Sequence, residues 1–574
     1  MVPYNSLAML TPSFAKVEPI TIDARQALAA YSLPLQQLLY TLGIDTAKDA
    51  QTFLNPNYST QLHSPLLLHD IIKATTRIHK AISGQEHIVI FSDYDCDGIP
   101  GAVVLHDFFK TIGYTNFTNY IPHRHYEGFG LSVEAVEKIK ATGATLIITI
   151  DCGTTAHEAV AQANSLGIGV IVTDHHEPEG NLPAALAIIN PKLGTYPFPD
   201  LCGAAVVFKL VQALLETGTY SITPGQEKWW LDMVGVATIA DMVPLVGENR
   251  VLAHFGLQVL RKSRRPGLQQ LLRRAKINQA YLTEEDIGFT IAPRINAASR
   301  MDAPEHAFHM LIAKDEGEAG ALVAKLDALN TERKSEVAKM TKEINVRLKE
   351  MVDMPAVLVM GNPLWRPALV GLAANSLATE YKRPVFLWGR DGNEVIKGSC
   401  RSGGGVSVIT LMQAISHTFV EHGGHHMSGG FAVRDEFIHT LGQLLNEAHS
   451  LKGSDAVITS THTVAAELPL TAVFGELKNA LRKLAPFGVG NPKPLFSFPL
   501  VTPKSVDMFG KAKEHLKLLF DTEAGQLEAI VFFATADSFS KPPVAGQLCT
   551  VLAHVETSYF MGREQTRLRI VDIL

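Results

Sequence analysis

Three short apolar runs each lead into an aspartate, and that repetition restricts the fold more than any other feature of the chain. Residues 87–91 lead into Ser92 and then Asp93-Tyr-Asp-Cys-Asp-Gly98; Leu146-Ile-Ile-Thr-Ile150 runs into Asp151-Cys-Gly153, and Gly169-Val-Ile-Val-Thr173 into Asp174-His-His176. Their uncharged, β-branched content reads as strands buried on both faces. Helical patterns lie between them, over 101–112 and over 132–141, the second stopped by Gly143. Strands alternating with helices predict a parallel sheet, whose ligands sit outside the carboxyl ends of the strands. Residues far apart in sequence then converge on one crevice.

The chemistry of those strand ends is that of a cation site. Asp93, Asp95 and Asp97 lie within five residues, and such anions repel one another unless divalent metals hold them. Taken alone, the stretch also fits an acidic turn with one helix-capping Asp, Asp151 fits a helix cap, and His175-His176 fits a solvated turn. Their coincidence at consecutive strand ends favours a shared site. Asp241, which follows the mostly apolar 234–240, is a fourth candidate, because a carboxylate in apolar surroundings is costly unless paired or metal-bound.

At 574 residues the chain exceeds one core, so three or four domains are expected. Hydrophobic content of 46% with 19% charge describes a globular protein without a membrane-spanning run, and the N-terminus lacks a signal-peptide layout, so a cytoplasmic location is expected. The five cysteines are scattered and form no CxxC pair, which predicts reduced thiols. A net charge of −6 gives no global attraction to nucleic acid, so any such contact needs a locally basic cleft.

Candidates for that cleft come in three stretches. Arg294, Asn296 and Arg300 stand in a short polar stretch suited to a phosphodiester; Ser399 and Arg401 stand in a glycine-rich loop over 397–405; and His425 belongs to His422-Gly-Gly-His-His-Met-Ser-Gly-Gly430. Ordinary polar loops are the alternative for each. The basic runs at 261–265 and 273–276 are capable of touching phosphates, with a solvated face as the commoner reading. Residues 321–353 contain no Gly or Pro and predict one long helix, roughly 50 Å at about 1.5 Å per residue, spanning two domains. Beyond about residue 455, turn-separated apolar runs predict a small closed or half-closed barrel.

At Asp93-Tyr-Asp-Cys-Asp-Gly98, Asp151, Asp174-His-His176 and Asp241 the sequence resembles the DHH phosphoesterase superfamily, and Gly423-Gly-His-His-Met-Ser-Gly-Gly430 resembles its associated DHHA1 domain. With 294–300, 397–402, 487–494 and the terminal barrel, the layout from about residue 76 onward is similar to the branch of single-strand-specific 5′→3′ DNA exonucleases. The resemblance implies an α/β protein. Its parts are an N-terminal accessory segment (1–75), a parallel-sheet DHH catalytic domain (76–315), a connecting helix (316–354), an α/β DHHA1 domain (355–452) and an OB-like nucleic-acid-binding β-barrel (453–574).

The implied activity is hydrolysis of single-stranded DNA to 5′-mononucleotides in repair and recombination, by attack of water activated by two divalent cations, manganese first and magnesium second. Carried over by position, Asp95 holds one metal, Asp97 the other, Asp151 bridges them, and His175 and Asp241 complete the shell of the second metal. Asp93 supports the first metal and His176 faces the scissile phosphate; Arg124, Ser399 and Arg401 form a pocket for the DNA 5′ phosphate, with His425 across the cleft. A monomer, with a RecQ-type helicase and a single-strand-binding protein as partners, completes the expectation. Cys152, Pro100, Ser299, Cys400, Ser428 and Arg366 depart from the superfamily's usual residues, the bulkier ones placing end recognition in question. The rival readings are a DHH phosphodiesterase of oligoribonucleotides or cyclic dinucleotides, and a non-catalytic single-strand-binding scaffold.

Overall fold

The computed structural model describes residues 14–16, 18–178, 180–392, 394–403, 405–451, 462–510, 513–560 and 563–574. These form two compact units, one drawn from Leu62–Val243 and Phe255–Ile458, the other from Met1–Gln61, Pro244–His254 and Thr459–Leu574.

The first unit contains a five-stranded sheet in the order Phe117–Tyr120, Ile88–Ser92, Leu146–Ile150, Gly169–Thr173, Ala187–Ile189. Every neighbouring pair is parallel. Ile88–Ser92 and Leu146–Ile150 are buried at every position, as expected of strands covered on both faces by helices. Because the second strand in sequence lies outside the first and the third inside it, the direction of winding reverses between Ile88–Ser92 and Leu146–Ile150. That switch point opens a crevice at the carboxyl ends of these two strands. Helix Gly98–Thr111 leaves from it, starting at the last residues of the acidic turn and three residues earlier than the sequence pattern suggested.

A helix of 34 residues, Glu316–Lys349, follows, with the Asp315 side chain accepting from Gly317 N and Glu318 N at its start. It begins and ends somewhat before the expected 321–353, because Gly317 and Gly320 are tolerated in its first turns. Its C-terminal Met340, Ile344 and Leu348 enter the core of a second five-stranded sheet together with Leu358, Leu369 and Leu387. That sheet runs Phe419–Gly424, Ser428–Val433, Ile396–Arg401, Val385–Arg390, Leu358–Gly361, with only the last pair parallel.

The second unit carries an eight-stranded sheet that includes Leu495–Val501, His515–Thr522, Gly525–Val531, Cys549–Phe560 and Arg563–Ile573. Alternate residues of His515–Thr522 are buried, which fits a sheet with one face on a core. Strand Phe14–Lys16 adds to its edge by pairing parallel with His462–Glu467. Leu35, Leu38 and Leu39 from helix Leu33–Thr41 share one core with Leu477, Leu484, Phe496, Leu518 and Phe520. Arg250 locks this arrangement: its Nε donates to Phe53 O at 2.8 Å and its guanidinium lies 3.7 Å over the Phe53 ring.

Candidate active site

At the switch point, three backbone hydrogen bonds carry the sheet ladder one residue beyond the strands. Asp93 N donates to Ile150 O, Asp151 N to Thr173 O and Asp174 N to Ile189 O, each at 2.9–3.0 Å. The ladder thereby fixes the three aspartates at the mouth of the crevice. Asp151 adopts φ of +60°, a left-handed conformation that costs a non-glycine residue about 1–3 kcal/mol. The close approach of Gly203 helps enforce it, since a Cβ at that position would lie 2.6 Å from the Asp151 Cβ.

Six donors gather around Asp151. His175 Nε2 lies 3.1 Å from Asp151 Oδ1, 3.6 Å from Asp97 Oδ2 and 3.7 Å from Asp241 Oδ2. Three groups have ligand atoms within 4.8 Å of one another: Asp93, Asp95 and Asp151; Asp97, His175 and Asp241; and Asp151, His175 and His176. Asp97 accepts from Gly203 N at 2.6 Å and Ala204 N at 2.7 Å, so the start of helix Gly203–Thr217 orients it. Asp95 accepts from Asp97 N at 2.7 Å. Asp241 caps the C-terminal end of helix Leu231–Ala240, where the helix dipole opposes a negative charge.

The electrostatics of this cluster call for a cation. Burial first, and then repulsion from neighbouring aspartates, pushes Asp93, Asp97, Asp151 and Asp241 above the usual carboxylate range. Burial holds His175 down to about 4, the neutral form a metal requires. Among the described residues the buried Oδ1 atoms of Asp93 and Asp151 accept no hydrogen bond of good geometry, the 3.1 Å approach of His175 Nε2 to Asp151 included. Oxygens left this way, beside a neutral imidazole, fit a pair of divalent cations.

Asp174 plays a different part. Its Oδ1 accepts from His175 N and from His176 Nδ1, both at 2.7 Å, and its Oδ2 from Thr154 N at 2.9 Å. Burial works against a charged His176, yet the hydrogen bond and charge of Asp174 prevail and raise the imidazole to about 9. Asp174 therefore holds a cationic His176 beside the cluster.

A cavity of about 950 Å³ is lined by Tyr94, Arg124, Lys397, Ser399 and His422, among others. The Arg124 guanidinium sits 4.9 Å over the Tyr94 ring. The expected loop over 397–405 is, through Arg401, the strand Ile396–Arg401, because its residues continue the antiparallel ladder with Val385–Arg390. Alternation along that strand puts Ser399 and Arg401 on one face. Gly371 packs against that face: a Cβ there would lie 3.2 Å from both Ser399 Oγ and Arg401 Nη2.

The expected phosphodiester grip at 293–300 is instead part of helix Ala292–Met301, and its three polar residues diverge. Arg294 is engaged by Asp327, with Nε and Nη2 at 3.1 and 2.9 Å, and by Thr290 O. Asn296 Oδ1 accepts from Cys96 N at 2.8 Å and so steadies the acidic turn. Arg300 Nη1 donates to Ala368 O at 2.7 Å, and burial together with the charge of Arg124 lowers it to about 9. Arg300 and Arg124 thus make a cationic region next to Tyr94 and Asp95. His425 is exposed in the turn between Phe419–Gly424 and Ser428–Val433, whereas His422, earlier in the same motif, lines the cavity with a buried, unpartnered Nδ1. Sequence reading named His422 only as one histidine of the glycine-rich motif and gave Tyr94 and the Gly203–Ala204 amides no role.

Comparison with known proteins agrees with this layout. Residues 87–238 match the DHH family, N-terminal domain, residues 354–450 the DHHA1 domain, and residues 464–572 the RecJ OB domain. The single-stranded-DNA-specific exonuclease RecJ of Bacillus subtilis is 34% identical over 540 residues, covering 93% of this chain and 67% of that protein. The protein of the same name from Salmonella typhimurium is 31% identical over 581 residues, covering 96% and 97%. The chain belongs to the RecJ family.

Among solved structures, the Mn2+ complex of RecJ from Thermus thermophilus superposes with a TM-score of 0.81 at 25% identity, covering 98% of this chain and 79% of that one. An exonuclease RecJ bound to manganese gives 0.59 at 30% identity, covering 69% and 97%. The cysteine at 400, expected to crowd the phosphate pocket, is accommodated away from the cavity. It is fully buried in the apolar core of the second sheet with Phe386, Met412 and Phe431, on the opposite face from Ser399. Arg366 pairs with Glu332 at 3.5 Å.

Proposed function

We propose that the protein is a metal-dependent exonuclease of single-stranded DNA that works 5′→3′ and releases 5′-mononucleotides in repair and recombination. The observation that carries this reading is the convergence of Asp93, Asp95, Asp97, Asp151, His175 and Asp241 at one sheet crevice, with two buried oxygens that accept no hydrogen bond of good geometry among the described residues. In this reading Asp93, Asp95 and Asp151 hold one divalent cation and Asp97, His175 and Asp241 the other, with Asp151 next to both groups. Manganese suits such a carboxylate–imidazole set, and magnesium is the second choice. Bound there, the cations supply acidification of water and charge compensation at the phosphodiester.

The remaining work falls to the chain itself. Asp174 keeps His176 cationic, 3.9 Å from Asp151, to stabilise charge growing on phosphate oxygens. Arg124, Arg300, Ser399 and Arg401 provide donors for a terminal 5′ phosphate, and His422 adds one from the cavity wall. Capture of that phosphate at fixed reach from Asp151 sets both polarity and product length. Asn296 and the Gly203–Ala204 amides keep the carboxylates in register.

Single-stranded DNA is the partner this site calls for, with the OB-fold unit as a second contact. We further place the enzyme in the cytoplasm as a monomer served by a RecQ-type helicase and a single-strand-binding protein. The five cysteines, all free and buried, suit a reducing compartment. Among the described residues no helix is long and apolar enough to cross a membrane. The test is a 5′-phosphorylated single strand labelled at one end or the other, digested with Mn2+. Early release of labelled mononucleotide from the 5′ label alone supports the reading. Turnover of a dinucleotide without digestion of the strand would sink it.

A further inference from the structure

A second cavity, of about 600 Å³, lies in the catalytic unit among residues that the proposed reaction does not use. Two helices wall it. Gly98–Thr111, which starts beside Asp97, brings Asp107, Lys110 and Thr111 to it; Leu231–Ala240, which ends at Asp241, brings Asp232. The cavity therefore sits at the opposite ends of the helices that carry two of the metal-type carboxylates.

The cavity floor is a closed network. Arg265 donates through Nε to Asp232 at 2.8 Å and through Nη2 to Asp107 at 2.7 Å, and Ser263 Oγ donates to Asp232 at 2.9 Å. The rim is the reverse, because its groups are exposed. Trp229 is 47% exposed, and among the described residues its indole makes no hydrogen bond or ring contact. Arg264 and Lys110 are exposed and pair with no carboxylate among the described residues, Lys110 resting 5.1 Å over the Phe117 ring. An open aromatic face with two exposed cations beside it, neither paired with a carboxylate among the described residues, matches a planar base that carries a phosphate. The site is an open groove rather than an enclosed cavity, so a bound nucleotide would keep one face toward solvent. Counting Asp107 and Asp232 against Arg265, Arg264 and Lys110 leaves the cavity cationic, as an anion requires.

We propose that this cavity is a second nucleotide site, which takes the base of a free nucleoside monophosphate against Trp229 and its phosphate between Arg264 and Lys110. It is separate from the reacting centre and does not depend on the polarity or product assigned above. The test is calorimetric titration of the full chain with dAMP in chelator, so that the cation cluster contributes no metal-assisted binding. An Arg401→Ala background weakens the first cavity and isolates the second. In that background dAMP binds, Trp229→Ala or Arg264→Ala weakens binding at least about tenfold, and adenosine binds weakly with no dependence on Arg264. Binding of dAMP that is unchanged in both variants, or no binding at all, overturns the proposal. So does a Trp229 dependence shown by a single-stranded oligonucleotide but not by dAMP, which would make the cavity a strand contact. Both variants alter exposed side chains, and circular dichroism checks that they fold.

Discussion

The site is decided by single atoms in several places. Gly203 is one: its missing Cβ makes room for Asp151, so Gly203→Ala has to displace a carboxylate rather than fill a gap. Digestion is expected to fall at least tenfold while the far-ultraviolet circular dichroism stays unchanged; wild-type rates would show that Asp151 can move without consequence. Ser399, Cys400 and Arg401 make a sharper comparison, since strand alternation separates them. Ser399→Ala and Arg401→Ala should each reduce the preference for 5′-phosphorylated over 5′-hydroxyl strands, and Cys400→Ala should leave that preference alone. Competition between the two strand types measures it. The sequence made Cys400 look like an intrusion on the phosphate pocket, because local reading gives no facing for a segment taken as a loop.

Helices and strands carry the next layer of the argument. The strand-end aspartates were legible because strands covered on both faces are almost purely apolar, so an acid at their ends stands out. Arg294 and Asn296 were misread for the opposite reason: their partners, Asp327 and the Cys96 amide, are 33 and 200 residues away, which no local pattern reveals. Asp232 is equally remote from Arg265, and the buried pair joins helix Leu231–Ala240 to the segment before the next helix. Asp232→Asn removes one of the two carboxylates on Arg265 and leaves Asp107 at 2.7 Å as the other, so the cost in urea unfolding should fall below the about 3–5 kcal/mol of a fully stranded buried charge.

Glu86 gives the pH dependence of the same layer. Hydrogen bonds from Arg77, at 2.6 and 3.1 Å, lower its pKa and outweigh its burial, with Thr145 adding another at 2.6 Å. A depressed folded pKa means stability that is present above the unfolded value of about 4.5 and is lost as pH falls through the folded one. Glu86→Gln should therefore destabilise the protein at pH 7 and narrow the gap to wild type below about pH 4. A gap that is constant with pH would remove the charge from the explanation.

On the scale of the whole chain, the sequence indicated the kinds of layer but not how distant segments share them. The parallel sheet announced itself through apolar runs alternating with helical patterns, and the C-terminal strands through turn-separated apolar runs. That residues of Leu33–Thr41 complete the core of the barrel unit did not show, because an amphipathic helix does not name its partner. Leu39→Ala is expected to destabilise that unit by about 2–5 kcal/mol, read as an earlier unfolding transition. Mn2+ at about one hundred times its dissociation constant should stabilise the catalytic unit by about 2.7 kcal/mol. The central claim is that Asp151 joins the cation sites to the chemistry. The most direct measurement is Mn2+-dependent digestion of 5′-phosphorylated single-stranded DNA by wild type and Asp151→Ala, with strand binding recorded in parallel. The account predicts that the variant loses digestion and keeps most of its binding; a variant that digests like wild type would contradict it.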